Sequence, residues 1–145
     1  MEPPASPGFR EGLREGREAP DYRRLTEAIP YARFLGITVE SIADEVVCRM
    51  RYQAALAGLG VLHGGSLGAL LESAALCKLL QRSDIERRPQ LVTLTVQYPR
   101  AGRLEDTFAW AHVTRQGRRV ANLQMEAWQN ERSRIIATGQ ALFLL

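Results

Sequence analysis

The chain has 145 residues but only two Cys, two His and a single Lys, Lys78. Cys48 and Cys77 have no C-x-x-C neighbour and no paired spacing, so no disulfide framework is expected. They read as small buried hydrophobes in a reducing compartment. Scattered Cys and His argue against a zinc centre, and no metal is expected. No run reaches 18 apolar residues, so no membrane span is expected. The first residues lack an apolar signal core, which predicts a cytoplasmic protein. No basic run with interleaved aromatics occurs, which removes nucleic acid from the expected partners.

What is present is a core-sized share of apolar residues, 46%. That suits one domain burying roughly two thirds of its unfolded surface. The net charge is +3, with 18 Arg beside the one Lys. Arg suits anionic ligands because its fork binds bidentately, so a small anion stays open as a ligand.

Residues 1–20 hold four of the seven Pro and few large apolar side chains, predicting a flexible N-terminal arm. The domain is expected over 21–145. Asp21 can cap a helix running to Pro30, with a further short turn over Tyr31–Leu35 that Gly36 ends. From Ile37 the apolar pattern changes to period two. Strands are predicted over 37–42 and Glu45–Tyr52, joined by a tight turn at Ala43-Asp44. A long helix is predicted from about Gly65 to Arg82. After the loop over 83–89, four strands are predicted at Leu91–Tyr98, Thr107–Gln116, Arg118–Gln129 and Ser133–Leu144, the last three as an antiparallel meander. The helix over Ser66–Leu80 is apolar nearly all round and must be enclosed. A sheet of about six strands curling around it can do so. Its remaining face then needs cover, most simply from a second subunit.

Chemistry concentrates in His63-Gly64-Gly65-Ser66 and Glu72. The two glycines let a ligand approach the backbone, and the helix start offers unpaired N–H groups to a polarised carbonyl. The bland alternative is an ordinary glycine turn. Glu72 sits inside the apolar helix, with Gly68, Ala69, Ala75 and Leu76 at the i±3 and i±4 positions. A carboxylate buried there has its pKa raised and is a candidate base or nucleophile; otherwise it faces a solvent gap or pairs with a distant Arg.

The element order and the HGG-x(6)-Glu spacing resemble the hotdog-fold acyl-CoA thioesterases, in particular the PaaI-like branch. The resemblance covers about Tyr31 to Leu145. It rests on FLGITVE, VLHGG, the acid nine positions after the His, LVTLTVQYPRAG, GRRVANLQMEAW and IIATGQALFLL. It implies an α+β hotdog fold, a long central helix wrapped by an antiparallel sheet of about six strands. It implies hydrolysis of an acyl-CoA or acyl-carrier thioester, with no cofactor beyond the coenzyme A of the substrate. Gly65 N–H would bind the thioester carbonyl, Glu72 would activate water or attack directly, and His63 would orient the loop. In such proteins the site forms at a subunit interface, so a homodimer or homotetramer is expected.

One departure stands out. The family usually carries Asn or Gln six positions before the His, where this chain has Ala57. A Thr or Ser often found one turn after the acid is replaced by Leu76. Ser73, Gln90 and Thr93 are the candidate polar substitutes, beside Gly64 in the turn. Arg100 with Arg103, and Arg118 with Arg119, fall in predicted turns and are candidates for the nucleotide phosphates of CoA. The Ala57 departure also motivates a non-catalytic acyl-CoA binding protein on the same scaffold. A hotdog hydratase is disfavoured because His63 and Glu72 stand in the wrong order. Gly64–Gly68 matches G-x-S-x-G literally, but the only later His, His112, falls in the meander and does not suit an α/β-hydrolase. Trp110 and Trp128 read as core or interface residues.

Overall fold

A computed structural model describes residues 26–81 and 88–145. The expected arm over 1–20, the Asp21 cap and most of the loop expected over 83–89 lie outside the described residues. Thr26 and Glu27 are helical, within the helix expected to run to Pro30, and after a turn at Ala28-Ile29 a separate helix, α1 (Pro30–Phe34), begins at that proline. Proline suits a first helical position because its missing N–H is not needed there. Gly36, at φ +69°, turns the chain out of α1.

The strands are β1 (Ile37–Ile42), β2 (Glu45–Met50), β3 (Gln90–Gln97), β4 (Thr107–Gln116), β5 (Val120–Trp128) and β6 (Ile135–Leu144). The long helix α2 spans Gly64–Leu80. Ala43 and Asp44 both take positive φ, the backbone of a two-residue hairpin turn, and pair Ile42 with Glu45. Strands β2, β5 and β6 are shorter than predicted. The residues trimmed from them, among them Arg51-Tyr52, Arg118-Arg119 and Ser133-Arg134, lie outside the ladders in connecting segments.

All six strands form one antiparallel sheet in the order β1-β2-β4-β5-β6-β3. The predicted meander β4-β5-β6 is its centre. Strand β3 crosses over to the far edge beside β6, which periodicity alone does not reveal. Alternation sends Ala109, Ala111, Ala121, Leu123, Met125, Ala127, Ala137, Ala141 and Phe143 to the face that packs on α2. The alanines keep that face shallow, so a helix with Leu70, Leu71, Ala75 and Leu79 fully enclosed can lie close against it. At Gly139 a Cβ would stand 2.9 Å from Met125 Cε and 3.3 Å from Leu71 Cδ1, so the smallest residue occupies the closest crossing.

Cys48 and Cys77 are free and buried, their sulfurs 3.9 Å apart between β2 and α2. Their mutual hydrogen bond, together with burial, holds the Cys48 thiol well above the ordinary range and keeps it protonated. The opposite face of the sheet carries aromatic side chains. Phe108 stacks near Trp128, Trp110 stacks on His112, and the Arg132 guanidinium lies 4.0 Å from the Trp128 ring centre. Among the described residues no helix is long and apolar enough to cross a membrane.

Candidate functional site

The segment before α2 folds into a small hairpin. Gly58 N–H donates to Val61 O at 2.7 Å, Ala57 bridges Leu62, and His63 N–H donates to Leu56 O at 2.9 Å. Gly60, at φ +81°, makes the reversal. The hairpin delivers His63 to the N-cap of α2 in extended conformation. There its Nδ1 accepts the Gly65 N–H at 2.9 Å. His63 O accepts both the Ser66 N–H at 3.0 Å and the Ser66 hydroxyl at 2.7 Å. These contacts fill much of what a helix start leaves unpaired.

The structure therefore changes one assignment. The Gly65 N–H, expected to meet the thioester carbonyl, is spent on capping by His63. Gly64, the first residue of α2, carries the neighbouring N–H at the positive end of the helix. A Cβ on Gly64 would lie 3.2 Å from the Tyr98 ring, and one on Gly65 would lie 3.0 Å from His63 Nδ1. At both positions a side chain would crowd a neighbouring ring, which would have to give by a few tenths of an ångström. Tyr98 closes the turn from β3, its hydroxyl donating to Gly64 O at 2.7 Å. The sequence reading passed over Tyr98; its place at the end of a strand was visible, but its neighbour was not.

Glu72 lies eight residues beyond Gly64, roughly 12 Å along the helix axis at 1.5 Å per residue. It is half-buried. Burial pushes its carboxyl above the ordinary value of 4.5, and the positive charge of Arg88 pulls it part of the way back. Arg88, just before β3, is the distant cation that helical spacing could not supply. The two halves of the candidate site thus sit toward opposite ends of β3: Gly64 by Tyr98 at one end, Glu72 within the field of Arg88 at the other.

The remaining candidates divide. The Ser73 hydroxyl donates to Ala69 O at 2.8 Å, a bond back into its own helix. Gln90 and Thr93 are exposed on β3, Thr93 just past a register shift. Gln90 pairs with Leu144, at the end of β3 away from Tyr98. Ala57 is exposed and places a methyl group beside the helix entry, where an amide was looked for. Ser66 is buried with its hydroxyl engaged, and His112 lies on the far face of the sheet, so neither forms a serine-nucleophile site.

The four arginines assigned to phosphate do not come together. Arg100 and Arg103 lie in the loop between β3 and β4, on the same side as the helix entry, where Leu62 N–H donates to Gly102 O at 2.9 Å. Arg118 and Arg119 turn the chain at the other end of β4, where Arg119 O accepts the Leu145 N–H at 2.7 Å. A ten-residue strand separates the groups, roughly 30 Å at the usual rise per residue.

One long helix wrapped by a six-stranded antiparallel sheet, with a glycine turn at the helix start and an acid within it, defines the hotdog thioesterase class. Residues 54–144 match the family model described as the acyl-CoA thioesterase N-terminal domain, and the chain belongs to that family. A solved protein from Chromobacterium violaceum is similar at 31% identity and TM-score 0.75, over 93% of this chain and 96% of that one. A phenylacetic acid degradation-related protein from Ralstonia eutropha is similar at 24% identity and TM-score 0.72, over 95% and 99%. A variant of the phenylacetic acid degradation protein PaaI from Thermus thermophilus is similar at 24% identity and TM-score 0.65, over 79% and 97%. The last two bear on the fold, which is PaaI-like. No curated protein matches the chain.

Proposed function

We propose that this protein hydrolyses an acyl-CoA thioester to the free acid and thiol, using Glu72 and the N-terminal turn of α2. The observation that carries the reading is Glu72: a half-buried carboxylate in an apolar helix, its pKa raised by desolvation. In the proposed step Glu72 takes a proton from water as the water oxygen adds to the thioester carbon. The carbonyl oxygen gathers negative charge facing the Gly64 N–H and the helix dipole. The C–S bond then breaks and the sulfur leaves with a proton. Direct attack by Glu72 to give a mixed anhydride, later hydrolysed, uses the same two groups. His63 positions the turn and does not act as base. No cofactor takes part beyond the coenzyme A of the substrate, and the two free thiols suit a reducing cytoplasm.

The active unit in this reading is a homodimer. A carbonyl held by one Gly64 and a water held by the same chain's Glu72 must span roughly 12 Å of helix, a long reach for two hydrogen bonds. Strand β3 is an edge strand with open hydrogen-bonding groups. Antiparallel pairing of two β3 edges about a two-fold axis sets the Tyr98 end of one copy beside the Arg88 end of the other. Gly64 of one subunit then faces Glu72 of its partner.

Thiol release from a panel of short, medium and aromatic acyl-CoAs tests the reading. Turnover that Glu72→Gln lowers by at least about 100-fold supports it, the usual low end for loss of a general base. Near-normal turnover in that variant removes Glu72 from the mechanism. Ala57 favours a second reading, a binding protein that holds acyl-CoA without cleaving it. Saturable binding with no thiol release across the panel would establish that instead.

A further inference from the structure

The proposed hydrolysis leaves both thiols of the chain unused. Cys48 lies within β2 and Cys77 near the end of α2, 29 positions apart in the chain. The fold nevertheless sets their sulfurs 3.9 Å apart, with Cys48 donating to Cys77. Each residue is 1% exposed. On either side of Cys48 the sheet places Val39 of β1 and Ala109 of β4, both buried and apolar. Ala74 and Leu80, one turn either way from Cys77 on α2, are buried and apolar too. The two thiols thus meet inside the apolar core.

Two thiols this close can share a soft cation or join as a disulfide. A cation needs both sulfurs ionised, and the product would carry charge into the core. The hydrogen bond to Cys77 and burial keep the Cys48 thiol protonated, which opposes a dithiolate. Among the described residues no third His, Cys, Asp or Glu joins the pair in a metal-binding group. A disulfide is neutral and apolar, so the same surroundings favour it. Bonded sulfurs stand about 2.05 Å apart, so closure asks each to move roughly 1 Å. A cysteine makes that shift by a small turn about its Cα–Cβ bond.

We infer that Cys48 and Cys77 are a site of reversible oxidative modification, which hydrogen peroxide closes to an intrachain disulfide fastening α2 to β2. The resting pair is the dithiol. First, one sulfur, as thiolate, attacks a peroxide oxygen; the O–O bond breaks and a sulfenic acid forms. The second thiol then attacks that sulfur, the S–O bond breaks, and the oxygen leaves as water with the remaining proton. Two thiols and one hydrogen peroxide give one disulfide and two waters. The sulfurs lose two electrons and the peroxide gains them. Burial makes the first attack slow, because it waits for a local opening. Cys77 stands three residues before Leu80, where α2 ends, so opening the last turns of the helix admits the small neutral oxidant. The second attack is fast, because the partner sulfur is already within reach. The closed loop runs from Cys48 to Cys77 and encloses the hairpin, the glycine turn and Glu72. Constraining that loop in the unfolded chain stabilises the folded one. The inference does not rest on the thioesterase reading.

The test exposes the full chain to hydrogen peroxide below its melting temperature, beside a sample kept in dithiothreitol. The intact mass should fall by two hydrogens, and both thiols, counted in denaturant, should vanish together. No covalent link between copies should form, and dithiothreitol should restore both thiols. The oxidised form should melt higher, by up to about 10 °C for a loop of this length. Cys48→Ala and Cys77→Ala should each gain oxygen instead of losing hydrogens, because the resolving thiol is gone. Wild type that gains oxygen without losing hydrogens, links to other copies, or reacts only in denaturant overturns the site. An oxidised form that melts at or below the reduced one overturns the fit of the cross-link to this fold. The wild-type mass carries the result by itself, so a poorly folding variant does not obscure it. No thioester enters the measurement, so absent hydrolysis would leave the site standing, and absent cross-linking would leave the hydrolysis standing.

Discussion

At the entry of α2, the Gly65 N–H, the Ser66 N–H, the Ser66 hydroxyl and the Tyr98 hydroxyl each have a partner within 3.0 Å. Two turns further on, Glu72 has the opposite surroundings: burial works against its charge and, among the described residues, the field of Arg88 favours it. The first region is held by geometry and the second is poised by desolvation. They should therefore fail differently. Changes of shape should damage the entry, whereas a change of charge alone should disable Glu72.

The largest expected effect is the loss of turnover in Glu72→Gln, at least about 100-fold in kcat with KM little changed. The same variant should melt higher than wild type at neutral pH, by about a degree or two. The sign follows from linkage. A raised carboxyl pKa means the folded state holds this proton more tightly than the unfolded chain does. Its contribution to stability is present at low pH and is lost as pH rises through the elevated value, so the advantage of Glu72→Gln should shrink on acidification. Equal melting shifts at acidic and neutral pH would show that Glu72 is not desolvated.

Mixing separates the two regions more sharply. Gly64→Ala crowds Tyr98 and should be inactive, as should Glu72→Gln. If the site is shared across a two-fold axis, co-refolding the two variants should restore up to about a quarter of wild-type activity, since half the dimers are mixed and each holds one intact site. No recovery, with mixed dimers shown to form, would place both groups on one chain.

A smaller effect is expected on the pH profile. The base works when deprotonated, so kcat should rise with pH through a midpoint above 4.5. Arg88→Gln should move that midpoint upward, because it removes the charge that lowers it. A profile unchanged in Arg88→Gln would separate Arg88 from the reacting carboxylate.

The smallest effects belong to the capping bonds at the entry. Gly65→Ala should push the His63 imidazole off its cap and cost about 1 kcal/mol, as lost caps do. Tyr98→Phe removes one hydrogen bond to Gly64 and should cost a similar ~1 kcal/mol, read as a melting temperature lower by a few degrees. Activity falling further in Tyr98→Phe than in Glu72→Gln would invert the comparison between the two regions.

Much of this arrangement is legible in the chain itself. Period two from Ile37 and strand-like runs bounded by turn signals mark all six strands, and β4 is predicted at its observed bounds, Thr107–Gln116. A helix with only Ser66, Glu72, Ser73 and Lys78 polar announces that it is enclosed, and so makes its one acid conspicuous. The glycine turn before it is equally plain. These signals are local: side-chain periodicity, glycine freedom and the cost of burying charge each act within a few residues of the position that shows them.

What escaped the sequence is set by neighbours distant along the chain. Whether Gly65 N–H is free depends on the rotamer His63 adopts, and His63 turned it into a capping bond. Which cation Glu72 feels depends on where the chain returns to β3. Which arginines meet depends on β3 crossing to lie beside β6, which sets Arg100 and Arg103 on the side of the helix entry and leaves Arg118 and Arg119 a strand length away. Periodicity states that a segment is a strand and which face it buries. It is silent on which strand lies beside it, because every antiparallel edge offers the same ladder of N–H and C=O groups. That choice is made by the packing of the whole sheet against α2, and with it the positions of the residues expected to bind and to react.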